Sequence, residues 1–183
     1  MKNHQRRGAL LLVALVAAFP LAGHAALKKN QTYYTKANIW FEHPEKVYST
    51  NYHVGQIVPA GSEVEMLDYK RGKARFKVKK SGVVILFTHV PKHSIISADD
   101  FFDRYFLETD LSKTLSSFSE MEQKNIKAGT VALGMGKDAV FAAYGNPPSH
   151  RTASLDNDRW IYWINRFATT TVVFTDGKVS TVE

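Results

Sequence analysis

Alternation between apolar and polar residues is the clearest pattern in the first half of this chain. Between residues 74 and 79, Ala74, Phe76 and Val78 alternate with three basic residues. Successive side chains of a β-strand point to opposite faces of a sheet. The stretch therefore predicts a strand with one buried face and one charged face.

Turn residues divide the rest of the segment 26–96 into short pieces. Gly55, Pro59 and Gly61 form a G-x-x-x-P-x-G turn, and residues 83–87 are wholly apolar, which favours a strand buried on both faces. Many short strands in about 70 residues are typical of a small barrel or sandwich. The segment resembles a bacterial SH3-type barrel, and we predict a small β-rich, SH3-like domain over residues 26–96.

Helical signals begin at residue 97. Ser97 is in position to cap a helix, two aspartates follow in its first turn, and four aromatic residues between 101 and 106 form an apolar stripe. The next residues are polar and rich in serine. We therefore predict a helix and a linker over 97–118, with a domain boundary in the linker.

The segment 119–183 combines two helices with three strands. Ser119 and Glu122 have the spacing of a capping box, and Gly129 ends the helix that they open. The remaining predicted elements are a helix over 137–144 and strands over 160–164, 170–175 and 178–182. The Asp-Gly pair between the last two strands indicates a two-residue hairpin. We predict an α+β fold, with two helices on one face of a three-stranded antiparallel sheet.

Residues 1–25 have the layout of a secretory signal peptide. Lys2, Arg6 and Arg7 precede an apolar run over 9–21, and Gly23-His24-Ala25 supplies small residues for cleavage. The run is shorter than the roughly 20 residues that a membrane-spanning helix needs. An uncleaved N-terminal anchor is the alternative. We predict export to the periplasm, with outer-membrane association as one option.

Composition narrows the chemistry of the exported chain. The sequence has no cysteine, which excludes disulfides, a thiolate nucleophile and a lipid anchor on cysteine. Three of the 24 basic residues lie in the signal peptide, which leaves 21 basic and 17 acidic residues and a net charge of +4. A charge this small predicts no polyanion partner for the whole surface, so electrostatic binding would need a local patch.

The order of motifs over residues 115–182 resembles the SmpA/OmlA family, the small BamE-like domains of the bacterial outer-membrane β-barrel assembly machinery. The shared positions are a Gly-Met pair, a helix that carries a valine and ends in Gly-x-Pro, a Trp-x-Tyr strand and a phenylalanine before an Asp-Gly turn. In this chain they are Gly134, Met135, Val140, Gly145, Pro147, Trp160, Tyr162, Phe174, Asp176 and Gly177.

The resemblance implies a non-catalytic envelope module that binds protein, lipid headgroup or cell wall, in outer-membrane protein assembly or envelope integrity. The chain departs from the family at two points. Gly136 stands where the family usually places a Ser or Thr helix cap. The lipidated cysteine of the founding members is missing, so the resemblance does not carry over membrane tethering.

The sequence contains no complete enzyme motif. The G-x-G-x-x-A string at residues 134–139 lacks the following parallel strand of a dinucleotide site. The five histidines beyond the signal peptide are interpreted as surface and loop residues, since Pro91 argues against a helix that would align His89 and His93 on one metal. We expect no catalytic residue, no cofactor, no metal and no nucleotide or nucleic-acid partner.

A basic strip is the best candidate for a contact surface. Seven basic residues fall between positions 70 and 80, and alternation places several of them on one strand face. We predict anion or partner binding by Lys73, Arg75, Lys77 and Lys79. Such a strip would give a weak, salt-sensitive contact with anionic lipid or cell wall. The alternative is a solvated strand face that prevents edge-to-edge aggregation.

Three functions stay open from the sequence. The first is a periplasmic interaction or scaffold protein that binds an envelope protein or another envelope component. The second is a cell-wall or anionic-lipid binding module that acts through the basic strip. The third is a secreted hydrolase inhibitor, by analogy of fold alone. Trp163 points away from Trp160 and Tyr162, and we predict that the N-terminal domain covers it, rather than that it forms a free binding hot spot.

Overall fold

The structure is a computed structural model that describes residues 27–183. The predicted signal peptide lies outside the described residues. Within them the chain forms eleven strands and four helices, so the predicted mixture of α and β structure is confirmed. Among residues 27–183, the structure has no helix with the length and apolar character needed to span a membrane.

The strands fall into three sheets. Their bounds are β1 (Thr32–Thr35), β2 (Ile39–Phe41), β3 (Val47–Tyr48), β4 (Gln56–Val58), β5 (Glu63–Lys70), β6 (Lys73–Val78), β7 (Val84–Thr88), β8 (Phe106–Leu107), β9 (Arg159–Trp163), β10 (Thr169–Thr175) and β11 (Lys178–Val182). The largest sheet has the order β3-β7-β6-β5-β1-β8, and β3 runs parallel to β7. A second sheet has the order β11-β10-β9, and β2 pairs with β4 in a third.

Strand β6 has the predicted alternation. Ala74, Phe76 and Val78 are buried, and the basic residues between them are exposed. The prediction for β7 is wrong in one respect, because this strand is not buried on both faces. Ile85 and Phe87 are fully buried, whereas Val84 is 36% exposed. The strand lies between β6 and β3 in a sheet whose outer face meets solvent, so only alternate side chains reach the core.

The N-terminal segment differs in detail from the expected barrel. Its predicted turn at residues 55–61 contains β4, which pairs with β2 outside the main sheet. The main sheet also takes in β8, from beyond residue 96. The segment is therefore β-rich, as predicted, and the SH3-type barrel is not confirmed.

The four helices are α1 (Ala98–Asp103), α2 (Ser112–Ser117), α3 (Glu120–Ala128) and α4 (Lys137–Tyr144). Ser97 caps α1 by accepting a hydrogen bond from the Asp100 amide. Ser119 and Glu122 form the predicted capping box of α3, and Gly129 ends that helix with a φ of 65°. The cap signals thus place the starts of α1 and α3 correctly. The predicted apolar stripe of the first helix is too long, because α1 ends at Asp103 and Phe106 lies in β8.

The polar linker predicted within residues 97–118 contains the unpredicted helix α2. Leu115 on this helix packs against Gly61, where a Cβ atom would lie 2.6 Å from the Leu115 Cδ1 atom. The helix is six residues long and has no side-chain cap. Its polar sequence gives no helical stripe, so tertiary contact at Leu115 supports it instead of local propensity.

The C-terminal segment has the predicted three-stranded antiparallel sheet. Asp176 and Gly177 have φ values of 51° and 73°, as a tight hairpin turn requires. Helix α4 packs on the sheet through Tyr144, whose ring lies 5.2 Å from that of Tyr162. Gly136 precedes α4 without a side-chain cap, but its amide donates to the Glu122 carboxylate at 2.8 Å.

Buried hydrogen bonds join the N-terminal segment, up to residue 96, to the C-terminal segment, residues 119–183. The Asn38 amide group donates to the carbonyl of Ile126 at 2.7 Å and to that of Ala143 at 3.0 Å. The Asn51 amide group donates to the carbonyl of Tyr144 at 2.9 Å. One hydrophobic cluster includes residues from both segments. The division into two domains within residues 97–118 stays a prediction.

Candidate functional site

The basic strip lies on the hairpin formed by β5 and β6. Lys70 and Lys73 face each other at its end, and Arg71 and Gly72 form the turn. The φ values of Arg71 and Gly72 are 51° and 70°. Both values are positive, as in the tight turns that favour Asn-Gly. An arginine at the first position therefore occupies a conformation that β-carbon sterics disfavour.

Three contacts hold the tip of this hairpin in place. The Tyr69 hydroxyl donates to the Asp99 carboxylate, and the Tyr69 ring packs edge-on against Phe102 with 5.4 Å between centroids. The Gly72 carbonyl accepts a hydrogen bond from the His89 amide at 2.8 Å. Burial and, to a smaller extent, the hydrogen bond to Asp99 raise the pKa of Tyr69, so its hydroxyl remains protonated and acts as a donor. The tip is therefore held in one position before any ligand arrives.

The stem of the hairpin carries Arg75, Lys77 and Lys79, and each of them has an acidic neighbour. Arg75 lies opposite Asp68 in the sheet register, and Lys77 lies opposite Glu65. The Lys79 ammonium lies 2.7 Å from the Glu63 carboxylate, and this hydrogen bond raises the pKa of Lys79. Opposite charges on facing strand positions attract each other. Among residues 27–183, Lys79 is the one cation of the stem with an ion pair, whereas Arg75 and Lys77 are offset only by the acids that face them in the register.

The cations of the tip lack a facing acid in the register, because Lys70 lies opposite Lys73. We define the tip cluster as Lys70, Arg71 and Lys73, which are all exposed. Among residues 27–183, no acceptor lies within bonding distance of their charged groups. They line a shallow depression of about 250 Å³ on the surface. Its lining residues are Asp68, Lys70, Arg71, Lys73, Arg75 and Leu86.

Two acids at the start of α1 lie beside the tip cluster, and both already accept hydrogen bonds. Asp99 accepts from the Tyr69 hydroxyl, and Asp100 accepts from the Ser97 hydroxyl at 2.7 Å. Asp68 is the acid that lines the depression itself. A hydrogen bond from a neutral hydroxyl leaves each carboxylate charged, so these acids offset part of the charge of the tip cluster. The tip cations differ from those of the stem because Lys70 and Lys73 lie opposite each other and not opposite acids. Ammonium and guanidinium groups in this arrangement suit an oxyanion such as phosphate.

The four predicted binding residues fall into two groups in the structure. Lys73 belongs to the tip cluster, where it lies opposite Lys70. Arg75, Lys77 and Lys79 belong to the stem. The sequence pattern gave these four residues equal weight, because it shows the spacing of the cations but not the acids that face them. The Arg-Gly pair between two lysines was the available signal for a turn at this point.

The family-motif residues have structural roles in this fold. Met135, Val140, Trp160, Tyr162 and Phe174 are almost fully buried. Gly134 and Gly145 have positive φ values, as do Asp176 and Gly177 in the hairpin turn, and Pro147 is buried after the end of α4. These positions support the sheet and its turns, and they do not converge on a surface site.

Trp163 is half-buried and contacts the N-terminal segment. Its ring meets that of Tyr52 edge-on, with 6.4 Å between centroids, and the Arg151 guanidinium lies 6.0 Å from the Trp163 ring. The contact with Tyr52 confirms the prediction that residues of the N-terminal segment cover this tryptophan. Trp163 therefore belongs to the junction between the segments.

The sequence interpretation places the histidines on the surface and in loops; His53 and His89 lie in loops, but His89 is buried and His53 is half-buried. His89 is 8% exposed, and His53 lies among the rings of Trp40, Tyr144 and Tyr162. Burial lowers the pKa of His53 to about 4, although its Nε2 atom lies 3.1 Å from the Tyr144 carbonyl. The covering residues are distant in sequence, so no local pattern indicates this burial. Within residues 27–183, no group of three or more metal-ligating side chains is assembled.

Comparison with known proteins identifies no relative of this chain. No protein-family model matches the chain, and no curated protein or solved structure matches it. The resemblance of residues 115–182 to the SmpA/OmlA family therefore stays a prediction.

Proposed function

We propose that this chain is a non-catalytic interaction protein of the cell envelope that attaches to anionic surfaces through the tip cluster. The observation that carries this proposal is the position of three exposed cations, without a bonded acceptor among residues 27–183, on an anchored turn. A solvated strand face that only prevents edge-to-edge aggregation would not require contacts that hold the hairpin tip in place. The stem already supplies charged side chains that discourage edge pairing.

The conformation of Arg71 supports a binding role for the turn. Asn or Gly would occupy this position at lower conformational cost. Backbone strain of this kind is common where a side chain serves a function. Arg71 lies between Lys70 and Lys73 in the sequence, so the strained position brings a third cation to the same end of the hairpin.

The expected strength of attachment follows from the number of cations. Each basic residue near an anionic membrane surface contributes on the order of 1 kcal/mol. Three of them would strengthen binding by on the order of 100-fold, and salt would weaken it by screening. The interaction would be reversible, which suits a protein that connects envelope components.

The proposal also covers the cellular location of the chain and the fold families of its two segments. Export by residues 1–25 would place the chain among phospholipids, lipopolysaccharide phosphates and wall polymers. The N-terminal sheet would belong to an SH3-like domain and residues 119–183 to a BamE-like domain with a role in envelope assembly or integrity. The order of two helices and three antiparallel strands in the C-terminal segment supports the second assignment.

Co-sedimentation tests the proposal. Purified protein is mixed with phosphatidylglycerol-containing vesicles, with phosphatidylcholine vesicles and with isolated sacculi. The variant K70Q/R71N/K73Q removes the tip cluster, and K113Q/K124N/K127Q removes the same charge from α2 and α3. We expect binding to at least one anionic surface that is lost in the tip variant and retained in the control. Equal loss in both variants, or no binding by the wild type, would contradict the proposal.

A further inference from the structure

The outer face of the six-stranded sheet carries three different rows of side chains. Strand β6 supplies a basic row, and β5 supplies an acidic row on one side of it. Strand β7 supplies an apolar row on the other side, with Leu86 opposite Arg75 and Val84 opposite Lys77. The basic row therefore lies directly between acids and apolar side chains.

The apolar row is exposed and reaches the edge of the sheet. Val84 is 36% exposed and Tyr48, on the edge strand β3, is 46% exposed. Tyr48 lies opposite Thr88, which in turn lies opposite Lys73. A tyrosine with an apolar ring and a polar hydroxyl suits the interface between membrane and water. The row thus extends from Val84 past Leu86 to Tyr48, beside the tip cluster.

A ligand that fits this face needs a phosphate next to an apolar portion. The tip cluster supplies the cations for phosphate, and Leu86 lines the same depression. A wall polymer supplies anionic groups without an apolar portion, whereas a phospholipid supplies both. The charge of the face and its apolar row therefore favour a lipid surface.

We propose that this outer face docks on an anionic phospholipid bilayer, with the tip cluster on lipid phosphates and Tyr48, Val84 and Leu86 in the interfacial layer. The inference rests on the proposed function and selects one of its anionic surfaces. The acidic row on β5 lies on the far side of the basic row, which favours an approach with the β7 and β3 side towards the lipid. The loop before β3 carries Glu42, Glu45 and Lys46, so this edge has one more acidic than basic residue, against the three cations of the tip cluster.

Threonine substitutions separate the apolar row from the tip cluster. The variant Y48T/V84T/L86T keeps side chains that favour β-strands. We expect it to bind phosphatidylglycerol vesicles roughly ten-fold more weakly than the wild type, because less apolar surface leaves water. Its binding to soluble polyphosphate should not change. The matched control I161T/V173T alters half-buried residues of the other sheet and should keep full vesicle binding.

The results distinguish this inference from the proposed function. Loss of vesicle and polyphosphate binding in K70Q/R71N/K73Q, with full vesicle binding in Y48T/V84T/L86T, would overturn the inference and leave the proposed function in place. Binding to sacculi but not to vesicles would do the same. Failure of the wild type to bind any anionic surface would overturn both.

A fluorescent probe gives an independent measurement on a folded chain. The sequence has no cysteine, so a single Val84→Cys change gives one labelling site for an environment-sensitive dye. We expect a blue shift of the dye on phosphatidylglycerol vesicles and quenching by spin-labelled lipid. The same dye at Ser180→Cys, an exposed position on β11, should show neither effect. Equal responses at the two positions, or no response at Val84→Cys, would contradict the inference.

Discussion

The junction between the two segments and the tip of the β5–β6 hairpin contain polar side chains in opposite situations. At the junction, Asn38 is 1% exposed and its side chain bonds three backbone groups, those of Ile126, Ala143 and Ala60. At the tip, three charged side chains are exposed and, among residues 27–183, have no bonded partner. The two regions also differ in how far apart their residues lie in the sequence. The junction joins distant parts of the chain, whereas the tip cluster lies within four consecutive residues.

The difference follows from the cost of removing polar groups from water. A buried group without a partner costs roughly 1–3 kcal/mol, so the junction requires complete hydrogen bonding. A charged side chain in water has no such cost and remains available to a ligand. Substitutions at the junction should therefore change stability, and substitutions at the tip should change binding.

Removal of the Asn38 side chain should have the largest effect on stability. The change Asn38→Ala removes the side-chain partner of the Ala143 carbonyl and of the Ala60 amide, and it leaves the Ile126 carbonyl with the Gly129 amide alone. We expect the free energy of unfolding to fall by about 3–5 kcal/mol, measured by urea denaturation. Asn157→Ala, at an exposed position, should change it by less than about 0.5 kcal/mol. Similar values for the two variants would contradict the role of Asn38.

Protonation of His53 should weaken the junction in acid. Burial lowers its pKa from the ordinary histidine value of 6.5 to about 4, so the fold favours the neutral ring. The contribution is complete above pH 6.5 and decreases as the pH falls towards 4. It amounts to at most about 3 kcal/mol. Urea denaturation across this range measures it.

The change His53→Gln provides the control for this pH dependence. Glutamine keeps a donor for the Tyr144 carbonyl but does not titrate. The variant should lose less stability than the wild type on acidification. If both proteins lose the same amount, the pKa of His53 does not contribute to the stability of the junction.

The change Arg71→Asn should have a small and opposite effect on stability. Asparagine tolerates the positive φ of this turn position better than arginine does. We expect a gain of about 0.5–1 kcal/mol in the free energy of unfolding, together with roughly five-fold weaker binding to anionic vesicles. Thermal denaturation and vesicle titration measure the two effects. A variant that is less stable, or that binds as well as the wild type, would argue against a binding role for Arg71.

Local structure could be predicted from the sequence where local residues determine it. The alternation of β6, the capping box at Ser119 and the Asp176-Gly177 turn are short-range patterns, and all are present in the fold. The junction could not be predicted in this way. Asn38 and its partner Ala143 are 105 residues apart, and no pattern in the chain indicates their bond.

The division of the basic strip into tip and stem depends on strand register. Counting outwards from the turn places Arg75 opposite Asp68, as the structure does. The same counting would place Lys77 opposite Met66, but a β-bulge shifts the register and brings Glu65 to that position. The position of Glu65 opposite Lys77 is therefore a property of the fold that the sequence pattern does not show.

Direct comparison of tip and stem variants on phosphatidylglycerol vesicles tests the central claim. K70Q/R71N/K73Q and R75Q/K77Q/K79Q remove the same number of charges from the same hairpin. We expect the tip variant to bind on the order of 100-fold more weakly than the wild type and the stem variant only about two-fold more weakly. Equal losses, or a larger loss in the stem variant, would contradict the claim that the tip cations carry the attachment.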